Sequence, residues 1–164
     1  EDDMKLKNFL IIVTDIELSK RFYREIFGLE TAADFGENAV LTGGLVLQEK
    51  TVWESWIGRD VSRGGCDAEL YFEESDLDGF LKKLEESPFS PEYLNRCIEH
   101  SWGQRVVRIF DPDGHVIEIG ETMEAVARRF LASGMSPRET AEKTQMLLSE
   151  VENIAQSMER RRLN

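Results

Sequence analysis

Glu118 stands in residues 115–119 (HVIEI), whose alternation reads as a strand with Val116 and Glu118 on one face and Ile117 and Ile119 on the other. A carboxylate in such apolar surroundings needs a metal ion, a hydrogen-bond donor or bulk water as its partner. Residues 105–110 read as a second strand, and Asp111-Pro112-Asp113-Gly114 as the turn that joins the two. Proline pre-sets φ and glycine accepts a positive φ, so this is a hairpin that holds Glu118 on a rigid support. Any chemistry the chain performs is expected here.

The elements that position this hairpin form a repeat. Residues 7–14 (KNFLIIVT) are a nearly continuous, β-branched apolar run, read as a buried strand. Asp15 is placed to cap a helix in which Leu18, Phe22 and Ile26 recur every four residues, and Gly28 stands where that helix must end. Strand signals follow over residues 31–42 and 44–49. Residues 53–65 (WESWIGRDVSRGG) read as a connection carrying Trp53 and Trp56. The pattern then restarts, with a strand over 68–72, a helix opened by Ser75-Asp76 that carries Leu77, Phe80, Leu81 and Leu84, a turn with Pro88 and Pro91, and further strands ending in the hairpin. Both halves read β-α-β-β-β. Asn8 precedes Asp15 by seven residues as Glu69 precedes Asp76, and Gly44-Leu-Val-Leu-Gln48 overlays Gly114-His-Val-Ile-Glu118. Glu118 thereby gains three counterparts, Asn8, Gln48 and Glu69, in two similar modules related by a pseudo-twofold axis.

Three stretches, FLIIVTDIELSKRFYREIFGLE (9–30), AELYFEESDLDGFLKKL (68–84) and WGQRVVRIFDPDGHVIEI (102–119), resemble the vicinal oxygen chelate superfamily of glyoxalases, bleomycin resistance proteins and dioxygenases. The resemblance implies an α+β domain over residues 1–120, with paired βαβββ modules at about 5–52 and 66–120. Their mixed sheets would curl around a cavity that takes a small-molecule ligand, commonly in a homodimer. It also implies metal positions at Asn8, Glu69 and Glu118, with Gln48 as a fourth. Of these, Glu118 matches the commonest pattern, an amide at the first position is known in glyoxalases, and Glu69 replaces the more usual histidine. Such an all-oxygen set suits Mg²⁺ or Mn²⁺, or Ca²⁺ in a large cavity, better than Zn²⁺; Ni²⁺ is the remaining candidate cofactor.

If an ion is held, it would polarise a substrate carbonyl while Glu118 or Glu69 moves a proton, as in a lyase or isomerase of the glyoxalase type. His100, in EHSWGQR at the implied cavity mouth, would then serve as a general acid/base or substrate donor. The alternative is a metal-free cavity of the bleomycin resistance type, in which Glu69 and Glu118 accept hydrogen bonds from Asn8, Gln48 or an arginine. Trp53, Trp56 and Trp102 would stack on a cationic aromatic compound, drawn in by acidic walls. Arg105 and Gln48 are further ligand contacts, although Arg105 and Arg108 lie on opposite faces of one strand and at most one faces the cavity.

The net charge of −12 lies wholly in residues 1–120, with 25 acidic and 13 basic side chains, whereas residues 121–164 carry seven of each. An acidic body favours cationic ligands and repels nucleic acid and anionic lipid. No apolar run approaches the roughly 20 residues of a membrane span. No signal peptide is evident, and Cys66 and Cys97 fit no zinc spacing, so reduced thiols in the cytoplasm are expected. The tail, residues 121–164, reads as a helix over 121–132, a capping box at Ser136-Pro137-Arg138-Glu139, and a last helix from Ser149. The spacing resembles a helix-turn-helix, which raises a ligand-sensing regulator as a third function. The last helix offers a DNA groove Glu150, Glu152, Asn153 and Gln156, with its cations held back to Arg160-Arg161-Arg162, so nucleic acid is not the expected partner.

Overall fold

In a computed structural model, which describes residues 4–162, the repeat of the sequence becomes a repeat of topology. Strand β1 (Phe9–Val13) leads to helix α1 (Ile16–Phe27), whose cap is Asp15; its carboxylate accepts from the Leu18 amide at 2.9 Å. Gly28, at φ 69°, ends the helix, and its amide closes on the Arg24 carbonyl at 2.9 Å. Strands β2 (Thr31–Asp34), β3 (Asn38–Leu41) and β4 (Leu45–Glu49) complete a four-stranded sheet of order β1-β4-β3-β2. The β1/β4 pair is parallel and the others are antiparallel.

The second half repeats this plan with β5 (Glu69–Glu74), α3 (Leu77–Glu86), β6 (Tyr93–Glu99), β7 (Arg105–Phe110) and β8 (Val116–Glu121), in the order β5-β8-β7-β6. The two orders are identical once four is added to each strand number, as a duplicated βαβββ module requires. The fold is therefore α+β, two mixed sheets with helices. Strand β8 is central and buried along its whole length, which is why its sequence lacks a polar face.

One expected connection is a helix. Residues 53–65 were expected to be irregular, yet α2 (Lys50–Ile57) carries both Trp53 and Trp56. The Glu49 carboxylate caps it, accepting from the amides of Thr51 (2.9 Å) and Val52 (2.8 Å), and Gly58 stops it at φ 64°. Glutamate is not a usual cap, so the start signal was inconspicuous.

The tail is helical throughout, as α4 (Met123–Ala132), α5 (Pro137–Thr144) and α6 (Leu148–Arg162). Both halves of the Ser136/Glu139 capping box form. Val126, Ala127, Ala141 and Val151 are buried where the three helices pack on one another. Helix α6 runs 15 residues, starting one residue before the expected Ser149, and leaves Glu150, Glu152, Asn153 and Gln156 exposed. Among the described residues no helix is long and apolar enough to cross a membrane. Both cysteines are free and exposed.

The chain divides into two interleaved units. The first holds residues up to Glu69 together with Lys83–Glu92 and Phe110–Val116; the second holds Leu70–Lys82, Tyr93–Ile109 and everything from Ile117 on. In the first unit the turn after β7 is tied down by Asp111, whose side chain is fully buried. Its oxygens accept from Tyr23 Oη (2.8 Å), His115 Nδ1 (2.8 Å) and the backbone amides of Asp113 (2.9 Å) and His115 (2.8 Å). His115 is therefore spent on the turn and β8 begins one residue later than its periodicity suggests. Asp113 is held alongside by Arg63 and by the Thr14 amide and hydroxyl.

Burial by itself would raise the Asp111 carboxyl, but the hydrogen bond and charge of His115, its amide and the Tyr23 hydroxyl outweigh burial and hold it below the usual range. A depressed carboxyl contributes stability that is complete above its unfolded value, about 3.9, and is lost as pH falls through the folded value. Replacing Asp111→Asn is expected to cost about 2–3 kcal/mol at neutral pH, and to flatten the fall in stability between neutral and acid pH. Urea denaturation as a function of pH measures both, and an unchanged pH slope in the variant would contradict this role.

Candidate functional site

In the second unit, β5 presents Tyr71 and Glu73 on the same face, two residues apart. Tyr71 is 49% exposed although it lies on an ordered strand. Its ring rests against Gly120 of β8: a Cβ there would lie 3.0 Å from the Tyr71 hydroxyl and 2.9 Å from Gln104 Nε2. Glycine is needed at this point for close approach.

A chain of hydrogen bonds runs across this face. Trp102 Nε1 donates to Gln104 Oε1 (3.1 Å), Gln104 Nε2 donates to Tyr71 Oη (2.9 Å), and Tyr71 Oη donates to Glu73 Oε1 (3.3 Å). Gln104 Nε2 also donates to the Glu121 carbonyl at 2.9 Å, which uses both of its N–H groups. Burial raises the Tyr71 phenol above its ordinary value; the Gln104 bond opposes this, and the charges of Glu73 and Glu118 reinforce it. Tyr71 is therefore a neutral donor and acceptor in the physiological range rather than a base.

Glu118 lies on the same side of β8, two residues from Gly120. Its carboxylate is ion-paired with Arg108 of β7, whose Nη1 also donates to Asn95 Oδ1 of β6 at 3.3 Å. Glu118 thus has a cationic partner on the neighbouring strand. A divalent ion brought to Glu118 would meet the positive charge of Arg108, and its share of the carboxylate is already taken.

The other residues of the expected constellation are placed as follows. In the first unit, Asn8 lies beside Gly44, with its Oδ1 3.7 Å from where a Gly44 Cβ would be. Gln48 is buried and committed: Asn38 Nδ2 donates to its Oε1 at 2.8 Å, and its Nε2 donates to the Glu37 carbonyl at 3.0 Å. The β1/β4 register sets Gln48 opposite Ile12, four positions along from Asn8, so these two amides are not brought together. Glu69 opens β5 and is exposed. Among the described residues no three His, Cys, Asp or Glu side chains form a group able to hold a metal ion. Trp53 and Trp56 lie edge-on to each other on α2, with centroids 6.5 Å apart, and Trp56 is 61% exposed.

In the second unit, Trp102 is half-buried and stacks flat on His100, with ring centroids 4.4 Å apart at 16°. One face of each ring is therefore occupied by the other. Arg105 is on the opposite side of β7 from Arg108. It donates through Nε (3.0 Å) and Nη2 (2.7 Å) to Glu121 Oε1 and through Nη1 to Asp78 Oδ1 (3.0 Å). Of the two arginines, Arg108 is the one beside Glu118. Tyr71, Glu73 and Gln104 are the site residues that sequence reasoning passed over, and Arg108 is the one of two candidate arginines that it left undecided. The alternation of β5 after Glu69 carried the signal for the first two, and the antiparallel pairing of the hairpin carried it for Arg108.

The arrangement offers an exposed phenol ring flanked by carboxylates, a neutral hydroxyl and an amide, with one arginine neutralised by its own glutamate. It can stack on a planar ligand, accept hydrogen bonds from it and favour positive charge.

Comparison with known proteins agrees with the duplicated topology. Residues 6–124 match the family model of a glyoxalase-like domain. Among solved structures, the chain is similar to a protein of unknown function from Agrobacterium tumefaciens str. C58, with 33% identity over 74% of this chain and 97% of that one and a TM-score of 0.64. It is also similar in fold to a glyoxalase-related enzyme from Fulvimarina pelagi (22% identity, 72% and 88% coverage, TM-score 0.62). A further similar fold is a glyoxalase/bleomycin resistance protein/dioxygenase family enzyme from Burkholderia phytofirmans PsJN (16% identity, 72% and 98% coverage, TM-score 0.62). No curated protein matches the sequence. The family match ends at residue 124, just inside α4, so most of the helical tail lies beyond it. With a duplicated βαβββ topology and a family match over most of its length, the chain belongs to the glyoxalase-like family of the vicinal oxygen chelate superfamily.

Proposed function

We propose that this protein binds a small cationic aromatic compound on the Tyr71 face of its second sheet, without a resident metal ion. The observation that carries the reading is the ion pair between Glu118 and Arg108. It puts a guanidinium where the superfamily's metalloenzymes would need a divalent cation, and the residues present do not fit such an ion. Gln48 supports the same reading, because its carbonyl oxygen already serves Asn38. The ligand class follows from charge and shape: Tyr71 offers an aromatic face, Glu73 a carboxylate beside it, and the body of the chain holds the whole net charge of −12.

Ethidium, a flat aromatic cation, is a suitable probe. Saturable binding is expected in fluorescence titrations. Tyr71→Ala should weaken it by about tenfold, corresponding to an aromatic–cation contact of about 1–2 kcal/mol. Glu73→Gln should weaken it less, and more clearly at low salt than at high. The absence of saturable binding by ethidium and by other planar cations would count against the ligand class.

Metal independence has its own test. Protein purified without chelator and exposed to Mn²⁺, Ni²⁺ or Zn²⁺ is expected to retain no stoichiometric ion after gel filtration, and EDTA should leave ethidium binding unchanged. Replacing Glu118→Gln should remove the negative charge that faces Arg108 and so weaken binding of the cationic probe. One equivalent of ion held by the natural protein and lost in Glu118→Gln would instead establish the metal-dependent lyase or isomerase alternative.

A further inference from the structure

We infer that the helical tail is part of the ligand-binding apparatus: Arg129 of α4 positions the Trp102–Gln104–Tyr71 chain from a segment that lies beyond the family match. The inference rests on the Tyr71 face being the binding surface.

The connection is continuous within the second unit. Residues 100–103 form a tight turn in which the Gly103 amide donates to the His100 carbonyl at 2.9 Å. The carbonyl of Gly103 accepts from Arg129 Nη2 at 2.5 Å. The same guanidinium donates to Glu121 Oε2 at 3.0 Å and approaches Glu99 Oε2 at 3.5 Å. Arg129 thus bridges the turn before β7, the end of β6 and the end of β8. Phe130, its neighbour on α4, seats on the turn itself: a Cβ on Gly103 would come within 2.3 Å of two ring carbons. Gly103 has φ 88°, so both its conformation and this contact require glycine.

From the turn the chain passes directly to the site. Trp102 and Gln104 flank Gly103, Gln104 Nε2 is anchored on the Glu121 carbonyl, and the same nitrogen holds the Tyr71 hydroxyl. Nη2 holds both the Gly103 carbonyl and Glu121 Oε2 while Nη1 of the same rigid plane faces Glu99, which sets an orientation that a flexible point charge does not. Loss of Arg129 does not orphan Glu121, because Arg105 still donates to both of its oxygens, Oε1 from the side chain and Oε2 from the backbone. The fold should therefore survive while the turn loosens.

Trp102 reports on this without any ligand. In a background of Trp53→Phe and Trp56→Phe, Trp102 is the sole tryptophan, and its emission reads the order of the His100–Gln104 turn. Arg129→Ala is expected to shift that emission to longer wavelength with helix content by circular dichroism retained. Arg129→Lys should shift it as well, since its ammonium ends one bond short of the Nη2 position that bridges Gly103 and Glu121 and has no second nitrogen to face Glu99. In the chain with its natural tryptophans, Arg129→Ala should weaken ethidium binding by at least about threefold, within the range of couplings carried by packed networks. Emission unchanged in both Arg129 variants would overturn the inference, and should the alanine variant fail to fold, the lysine variant decides alone. If the natural protein does not bind ethidium, the ligand reading fails while the Trp102 measurement still tests the positioning role.

Discussion

The second half of the molecule is organised by the need to keep one buried carboxylate charged. Glu121 ends the central strand β8 with its side chain 4% exposed. Burial pushes its carboxyl up, and the hydrogen bonds of the Arg105 side chain and amide and of Arg129 pull it below the usual range. The cost of stripping water from a carboxylate is several kcal/mol and is offset where charged donors saturate its oxygens. Here the two arginines come from a neighbouring strand and from a tail helix, and Arg105 also reaches Asp78 in the first turn of α3. One desolvated charge therefore fixes β7, β8, α3 and α4 against one another.

The site on the other face of the same sheet inherits that rigidity. The backbone of Glu121 holds Gln104, and Gln104 holds Tyr71, so the aromatic ring is aimed by atoms that belong to the structural clamp. Glu118, three residues before Glu121 on β8, faces the opposite way and is answered by Arg108 rather than by a solvent-exposed cation site. The two carboxylates share a strand and a class of partner. They differ in what surrounds them: Glu121 is saturated by Arg105 and Arg129, while Glu118 lies beside the half-exposed Tyr71. The duplicated topology supplies the stage common to the superfamily, and on it Glu118 is answered by Arg108.

Much of this was readable from the chain. The duplicated βαβββ order, the hairpin around Asp111–Gly114, the caps at Asp15 and Ser136 and the three tail helices all follow from local chemistry, because a cap or a turn depends on residues within four positions of each other. Helix α2 escaped because its cap is Glu49, whose propensity for that position is low. Asn8 and Gln48 looked like members of one constellation, since a repeat aligns positions within modules. It does not say that aligned residues meet; the β1/β4 register and the Asn38 bond keep these two apart.

By itself the sequence determined the family, the two modules and the identity of Glu118 as the residue demanding a partner, since periodicity and turn chemistry are local and survive any arrangement of the modules. Which partner answers was decided only in three dimensions. Arg105 and Arg108 are chemically alike and three residues apart, and strand alternation sends them to opposite faces. One saturates Glu121, joined there by an arginine 24 positions further along, and the other meets Glu118 across a hairpin. Long-range pairing of charges depends on register and on which helix covers which face, and those are properties of the packed sheet rather than of any window of sequence.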